Sequence, residues 1–378
     1  MTSRALIAGA TGLIGSNLAN HLVSKGWEVH GVARKPQTGI PDVRPVAADL
    51  LEPESLRSAL AGIDPTHVFF TTWVRRPSEE ENIAVNGALV RNVLAALERS
   101  KSLKHVALVT GLKHYLGPFE MYAKVKLDTP LREEMPRLPY PNFFYAQEDA
   151  LFEAAKRQRF TWSVHRSHTT IGYSIGTSMN MGVTLAAYAV ICRETGRPFV
   201  FPGSSQQWDG LTDVTDARVL AKHMEWASIS EAGRNQAFNI VNGDIFRWRW
   251  LWPKLAADFG IDAAAYPGHA TPLEPQLADA GPTWAKIAAK HGLAEADLGK
   301  LASAWHTDAD LGREIEVVTD MTKSRLAGFH EYQPTLGSFL DLFARLRKER
   351  IIPEDRFVQP LRASAGAVYH KEQVSGSR

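Results

Sequence analysis

The first third of the chain alternates short apolar runs with amphipathic stretches. Residues 5–8, 28–33, 43–47, 67–71 and 105–110 read as strands. Residues 13–25, 55–60 and 83–99 place their apolar positions at helical spacing, and Gly26 closes the first of these helices. This βαβαβ succession predicts a parallel sheet with helices on both faces. A long excursion rich in proline and glycine follows the fifth strand, over residues 111–141. A helix over 145–157 and a strand over 162–166 come next. Beyond them the rhythm is lost, helices dominate, and tryptophans recur at 208, 226, 248, 250, 252, 284 and 305. The expected class is α/β: a Rossmann-type doubly wound parallel sheet over residues 1–166, with a smaller, mainly helical lobe over 167–353. That lobe is free to return strands to the sheet. Residues 354–378 hold few apolar positions and are expected to form a loosely ordered tail.

The first strand runs into Gly9-Ala10-Thr11-Gly12-Leu13-Ile14-Gly15, which opens the first helix. Glycine at these points permits a tight turn and lets backbone amides approach a pyrophosphate at a helix N-terminus. In this strand–turn–helix context the pattern predicts a dinucleotide site. The end of the second strand, Gly31-Val32-Ala33-Arg34-Lys35, carries no acid to bind ribose hydroxyls. Arg34 and Lys35 instead suit a 2′-phosphate, which makes NADPH the expected cofactor. Asp49 and Leu50 end the third strand, where an adenine could rest; Asp49 reads equally well as a helix cap ahead of Pro53.

Composition narrows the field without changing it. Charged residues make up 22% and the formal net charge is +2, so neither nucleic acid nor an anionic membrane is an expected partner. The single cysteine, Cys192, excludes an intrachain disulfide and a cysteine zinc site. The histidines show no metal-ligand spacing, and no metal is expected. No run approaches ~18 apolar residues and no secretory pattern opens the chain, so a cytoplasmic enzyme is expected. Arg247-Trp248-Arg249-Trp250-Leu251-Trp252 interleaves bases with aromatics, but a helix start with its tryptophans inside accounts for it.

The glycine turn resembles that of the short-chain dehydrogenases, whose members pair Tyr-x-x-x-Lys on one helix. Tyr122 and Lys126 have that spacing but lie only a dozen residues past the fifth strand. Tyr145 opens the expected helix, yet its lysine position holds Asp149, and Lys113 is the natural substitute. The blocks Thr110-Gly111-Leu112-Lys113-His114-Tyr115-Leu116-Gly117-Pro118-Phe119-Glu120 and Asn142-Phe143-Phe144-Tyr145-Ala146-Gln147-Glu148-Asp149 resemble the progesterone 5β-reductase/iridoid synthase-like reductases. Thr72-Trp73, Trp162 to Arg166, Trp208-Asp209-Gly210 and Phe238 to Asp244 extend the resemblance over residues 4–353.

The resemblance implies hydride addition from NADPH to the β-carbon of an α,β-unsaturated carbonyl. By position, Tyr145 would donate to the developing enolate oxygen and Lys113 would support it. It further implies cofactor contacts at Thr72, Ile171, Thr177, Ser178 and Met179, and substrate contacts at Trp73, Phe119 and Tyr122, with an apolar enone as substrate. A homodimer is a further expectation. The C-terminal helix with Phe339, Leu340, Leu342 and Phe343 would close the cavity or simply pack in the core. Ser167 stands where many members have proline, Val109 where plant members often have a polar residue, and Lys35 where an arginine is common. Two other readings stay open: a carbonyl reductase or nucleotide-sugar epimerase working through Tyr122 and Lys126, and a non-enzymatic NADP(H) sensor.

Overall fold

In a computed structural model, residues 3–36, 39–118, 121, 127–177 and 179–354 are described. Strands β1 (Arg4–Ala8), β2 (Glu28–Ala33), β3 (Val43–Ala47), β4 (His67–Phe70), β5 (His105–Gly111) and β6 (Thr161–Ser167) alternate with helices. The helices are α1 (Leu13–Ser24), α2 (Pro53–Ala59), α3 (Glu79–Ala96), α4 (Lys113–Leu116) and α5 (Phe143–Gln158). Sequence spacing placed α3 and α5 a few residues late. Their true starts are set by side-chain caps: Ser78 accepts from the Glu81 amide at 3.2 Å, and Asn142 from the Phe144 amide at 3.0 Å. Caps lie outside the apolar stripe, so periodicity does not register them.

The C-terminal half holds β7 (Thr170–Ile171), α6 (Met181–Thr195), α7 (Ser205–Asp209), β8 (Thr215–Asp216), α8 (Ala217–Ile229) and β9 (Gln236–Ile240). The helices α9 (Trp248–Asp258), α10 (Leu273–Leu277), α11 (Gly281–His291), α12 (Ala304–Leu311), α13 (Thr322–Leu326) and α14 (Thr335–Lys348) complete it. The main sheet runs β3-β2-β1-β4-β5-β6-β9, every pair parallel, so the chain re-enters the sheet beside β6 after leaving it for the lobe.

Alternate residues of each central strand feed opposite layers. Leu6, Ala8, Val68, Phe70, Val106 and Leu108 pack with α3 and α5. Ala5, Ile7, Phe69 and Ala107 pack with α1 and α8. On that second face Glu225 of α8 accepts from Trp27 Nε1 at 3.1 Å and pairs with His21 of α1 at 2.7 Å. The lobe has its own core around α6, which is buried from Met181 to Cys192. Trp248 and Trp252 are fully enclosed, while Trp250 is 48% exposed and Arg249 pairs with Asp209, as an ordinary packed helix start requires. Phe339, Leu342 and Phe343 of α14 belong to this core as well. No helix of the described residues is long and apolar enough to cross a membrane.

Candidate active site

Two adjoining clefts lie at the carboxyl ends of the strands and share Gly12 and Thr72. The glycine turn between them is shaped by close contacts. Gly9 adopts φ +90°, and a Cβ there would stand 2.6 Å from Thr72 Cβ. A Cβ on Gly15 would collide with the Gly9 carbonyl oxygen, so α1 can approach the turn only with glycine at this position. Gly12 caps α1 without a side chain, and the first turn of α1 carries no acid. The positive end of the helix therefore faces the clefts uncompensated, as phosphate binding requires.

The outer cleft is walled by Thr11, Arg34, Lys35, Asp49, Leu50 and, from the segment after β4, Arg76. Three cations and one carboxylate thus line this cleft, and the Asp49 Oδ1 accepts from the Leu51 amide at 3.0 Å. Asp49 borders the cleft and closes a local turn, but it does not cap α2, whose N-cap is Glu52. Arg76 escaped sequence reasoning because it precedes Pro77 in a loop with no distinctive spacing. These residues fit the adenosine end of a dinucleotide.

The inner cleft continues past Leu13, Ile14, Thr72, Val109, Thr177 and Met179 toward Trp73, Thr110, Lys113, Leu116 and Phe144. Its far wall consists of Ser167, His168, Thr169, Thr170, His306, Asp310 and Arg313. Lys113 opens α4 directly after β5 and is only 6% exposed. Its Nζ lies 5.0 Å from the Phe143 ring centre and 5.9 Å from that of Trp73. Asn142, the cap of α5, donates from Nδ2 to the Lys113 carbonyl at 2.7 Å and so fixes this turn against the helix. The Thr110 hydroxyl borders the same cleft and has no hydrogen-bond partner among the described residues.

Tyr145 requires a correction. It is absent from the cleft wall, which Phe144 occupies instead. The Tyr145 hydroxyl donates to the His114 carbonyl at 2.7 Å and accepts from the Leu138 amide at 3.0 Å. Its only proton is committed to the backbone and is not available to a substrate oxygen. Arg137 covers its ring at 4.7 Å, and burial raises the phenol pKa above its ordinary value. Consecutive helical residues point about 100° apart, and the Phe144 ring is the one that packs over Gly111. Ile171 is corrected too: it is buried in the core of the lobe and lines neither cleft. Phe119, Tyr122, Lys126 and Ser178 lie outside the described residues.

The far wall is a self-satisfied polar cluster that the sequence did not disclose, because its members come from β6 onward and from residues some 140 positions later. His168 Nδ1 bonds Asp213 Oδ1 at 2.7 Å, and Arg313 Nη2 donates to His168 Nε2 at 3.0 Å. Since the guanidinium is only a donor, this histidine is neutral with its proton on Nδ1. Asp213 also accepts from the Thr319 amide at 2.7 Å. Asp310 accepts from Thr169 Oγ1 at 2.7 Å and lies 3.7 Å from Arg313. Burial opposes its ionisation, but Arg313, His306 and the Thr169 hydroxyl outweigh burial and hold the carboxyl below its ordinary range.

A doubly wound parallel sheet with a glycine turn at the tip of β1 defines a Rossmann-type fold, here with a buried lysine after β5. The chain belongs to the PRISE-like Rossmann-fold domain family, whose model matches residues 39–353. It is 39% identical over 363 residues to an (S)-8-oxocitronellyl enol synthase of Nepeta racemosa, covering 93% of each chain. It is 38% identical over 363 residues to a 3-oxo-Δ(4,5)-steroid 5β-reductase of Arabidopsis thaliana, again covering 93% of each. Among solved structures, UDP-glucose 4-epimerase of Thermotoga maritima superposes with a TM-score of 0.66 at 15% identity, over 91% of this chain and 99% of that one. A short-chain dehydrogenase/reductase of Agrobacterium tumefaciens with bound NAD gives 0.62 at 14% identity, over 92% and 98%. These two share the fold.

Proposed function

We propose that the chain is an NADPH-dependent ene-reductase acting on α,β-unsaturated ketones and aldehydes. The observation that carries this reading is the placement of Lys113. A buried ammonium stands beside the inner cleft, under two aromatic rings, where the glycine turn directs the reducing end of a dinucleotide. When bound, the nicotinamide supplies hydride to the substrate β-carbon. Negative charge then develops on the carbonyl oxygen, and a positive charge held in a water-poor wall stabilises it more strongly than one in solvent. The Thr110 hydroxyl, without a partner among the described residues, offers a hydrogen bond at the same wall. Tyr145 acts through the loop: it fixes His114 and so the turn that carries Lys113. Arg34, Lys35 and Arg76 select the phosphorylated cofactor. The names of the relatives, an enol synthase and a steroid 5β-reductase, support an enone or enal substrate.

The test follows NADPH absorbance with 2-cyclohexen-1-one and identifies the product by mass spectrometry, with NADH in parallel. The saturated ketone should form with NADPH, and Lys113→Ala should lose on the order of 10²-fold in kcat. Formation of the allylic alcohol, or full activity in Lys113→Ala with loss in Tyr122→Phe, would return the reaction to the carbonyl-reductase class.

A further inference from the structure

His306 differs from its neighbours in the far wall. His168, Asp213, Asp310 and Arg313 bond to one another or to adjacent hydroxyls and amides. The His306 side chain is 17% exposed and borders the cleft. Its Nε2 lies 3.9 Å from Asp310 Oδ2, too far for a direct bond. A gap of this size is spanned by one oxygen that bonds both sides, since two atoms each ~2.8 Å from a shared hydroxyl stand about 4–4.5 Å apart.

We propose that this gap receives a hydroxyl group of the substrate, remote from the carbonyl that is activated for reduction. The hydroxyl accepts from His306 Nε2–H and donates to the Asp310 carboxylate. A hydroxyl is the group that satisfies both, because it gives one proton and takes one. A carboxylate would meet the charge of Asp310 and be rejected. A plain hydrocarbon end would leave the His306 Nε2–H facing it without an acceptor, which disfavours its binding. Facing the imidazole are Asp310 and Arg313 of the same wall, together with Arg75, which lies over the neighbouring Trp305 ring at 3.8 Å. The apolar residues across the cleft, Trp73, Leu116 and Phe144, hold the rest of the molecule. The substrate class is therefore a hydroxylated enone or enal with an apolar middle. This rests on the ene-reductase reading of the same cleft.

The experiment measures binding without turnover. Saturated methyl ketones of six to ten carbons, their ω-hydroxy forms and their ω-carboxylates are titrated into the protein with NADP⁺ by calorimetry. The best ω-hydroxy ketone should bind about tenfold more tightly than its parent, the scale of one well-made hydrogen bond, and the carboxylate no more tightly than the parent. His306→Phe should keep the parent's affinity and lose the preference; His306→Gln should keep part of it. Asp310→Asn should weaken hydroxyl binding and abolish the bias against carboxylate. Equal affinities across the series, absence of binding, or a preference that survives His306→Phe would overturn the assignment, and a bridging water would then account for the gap. Because these ligands lack the reducible double bond, failure of the reductase assay leaves this result readable by itself.

Discussion

The Tyr145 hydroxyl and the His114 carbonyl are 2.7 Å apart, and their bond ties the first turn of α5 to the turn that begins at Lys113. A phenol in this position holds a backbone and leaves the chemistry to its neighbours. Tyr145→Phe should therefore lower stability by about 1–3 kcal/mol, because the His114 carbonyl and Leu138 amide lose their partner. It should reduce kcat far less than Lys113→Ala. Urea unfolding and steady-state kinetics on the two variants check this; equal losses of kcat at unchanged stability would restore Tyr145 to a direct role.

Phe144 borders the cleft, and its Cζ stands 3.6 Å from where a Cβ on Gly111 would lie. Phe144→Tyr places a hydroxyl on that carbon. If charge develops at this wall, the new donor should raise kcat with the enone, by ~10-fold, with little change in KM, since single oxyanion donors act mainly on the transition state. An unchanged kcat would place the reacting oxygen elsewhere in the cleft.

The cationic outer cleft predicts cofactor choice. Arg34→Ala should raise KM for NADPH by about 10–100-fold, as loss of a charge-assisted phosphate contact does, and leave KM for NADH nearly unchanged. Arg76→Ala should act in the same direction. Parallel titrations with both cofactors decide it, and equal effects on NADH would show that these cations serve the pyrophosphate.

A buried hydrogen-bonded chain predicts the acid limit of stability. Ser324 donates to the Asn239 carbonyl, so it accepts from His223 Nε2 at 3.1 Å. His223 Nδ1 then accepts from His165 Nδ1 at 2.8 Å, His165 Nε2 from Ser163 at 2.8 Å, and Ser163 from His105 at 2.9 Å. Every imidazole in this line is neutral, and an added proton would break its order. Burial pulls His105 and His223 down to about 3, and His165 well below its ordinary value. The unfolded chain takes up these protons near pH 6.5 and the folded one does not. Stability is thus fully present above 6.5 and lost as pH falls from 6.5 toward 3, by about 1.4 kcal/mol per histidine at pH 5.5. Urea midpoints from pH 8 to pH 5 measure the slope, and His105→Gln should flatten it.

Much of this architecture was legible. The βαβ rhythm located the first six strands within a residue or two, because parallel strands buried on both faces are nearly pure apolar runs. The placement of the glycine turn, Arg34, Lys35 and Lys113 along the clefts was legible because each sits at the carboxyl end of a strand that the apolar runs locate. Phe144 and Tyr145 were not separable, since both are aromatic, buried and adjacent, and only the rotation of α5 decides between them. Asp310 and Arg313 were invisible for a different reason: they meet Thr169 and His168 across some 140 residues, and no local pattern encodes that meeting.

The return of β9 to the sheet beside β6 has a consequence for how the molecule opens. The nucleotide half, cut after residue 166, would leave β6 as a bare edge and α1 stripped of the α8 helix that covers it. The two halves are therefore interlocked, not tethered, and should melt in one transition. A ligand entering between them cannot rely on a hinge. Its entry should therefore proceed without a rigid-body swing of one half against the other.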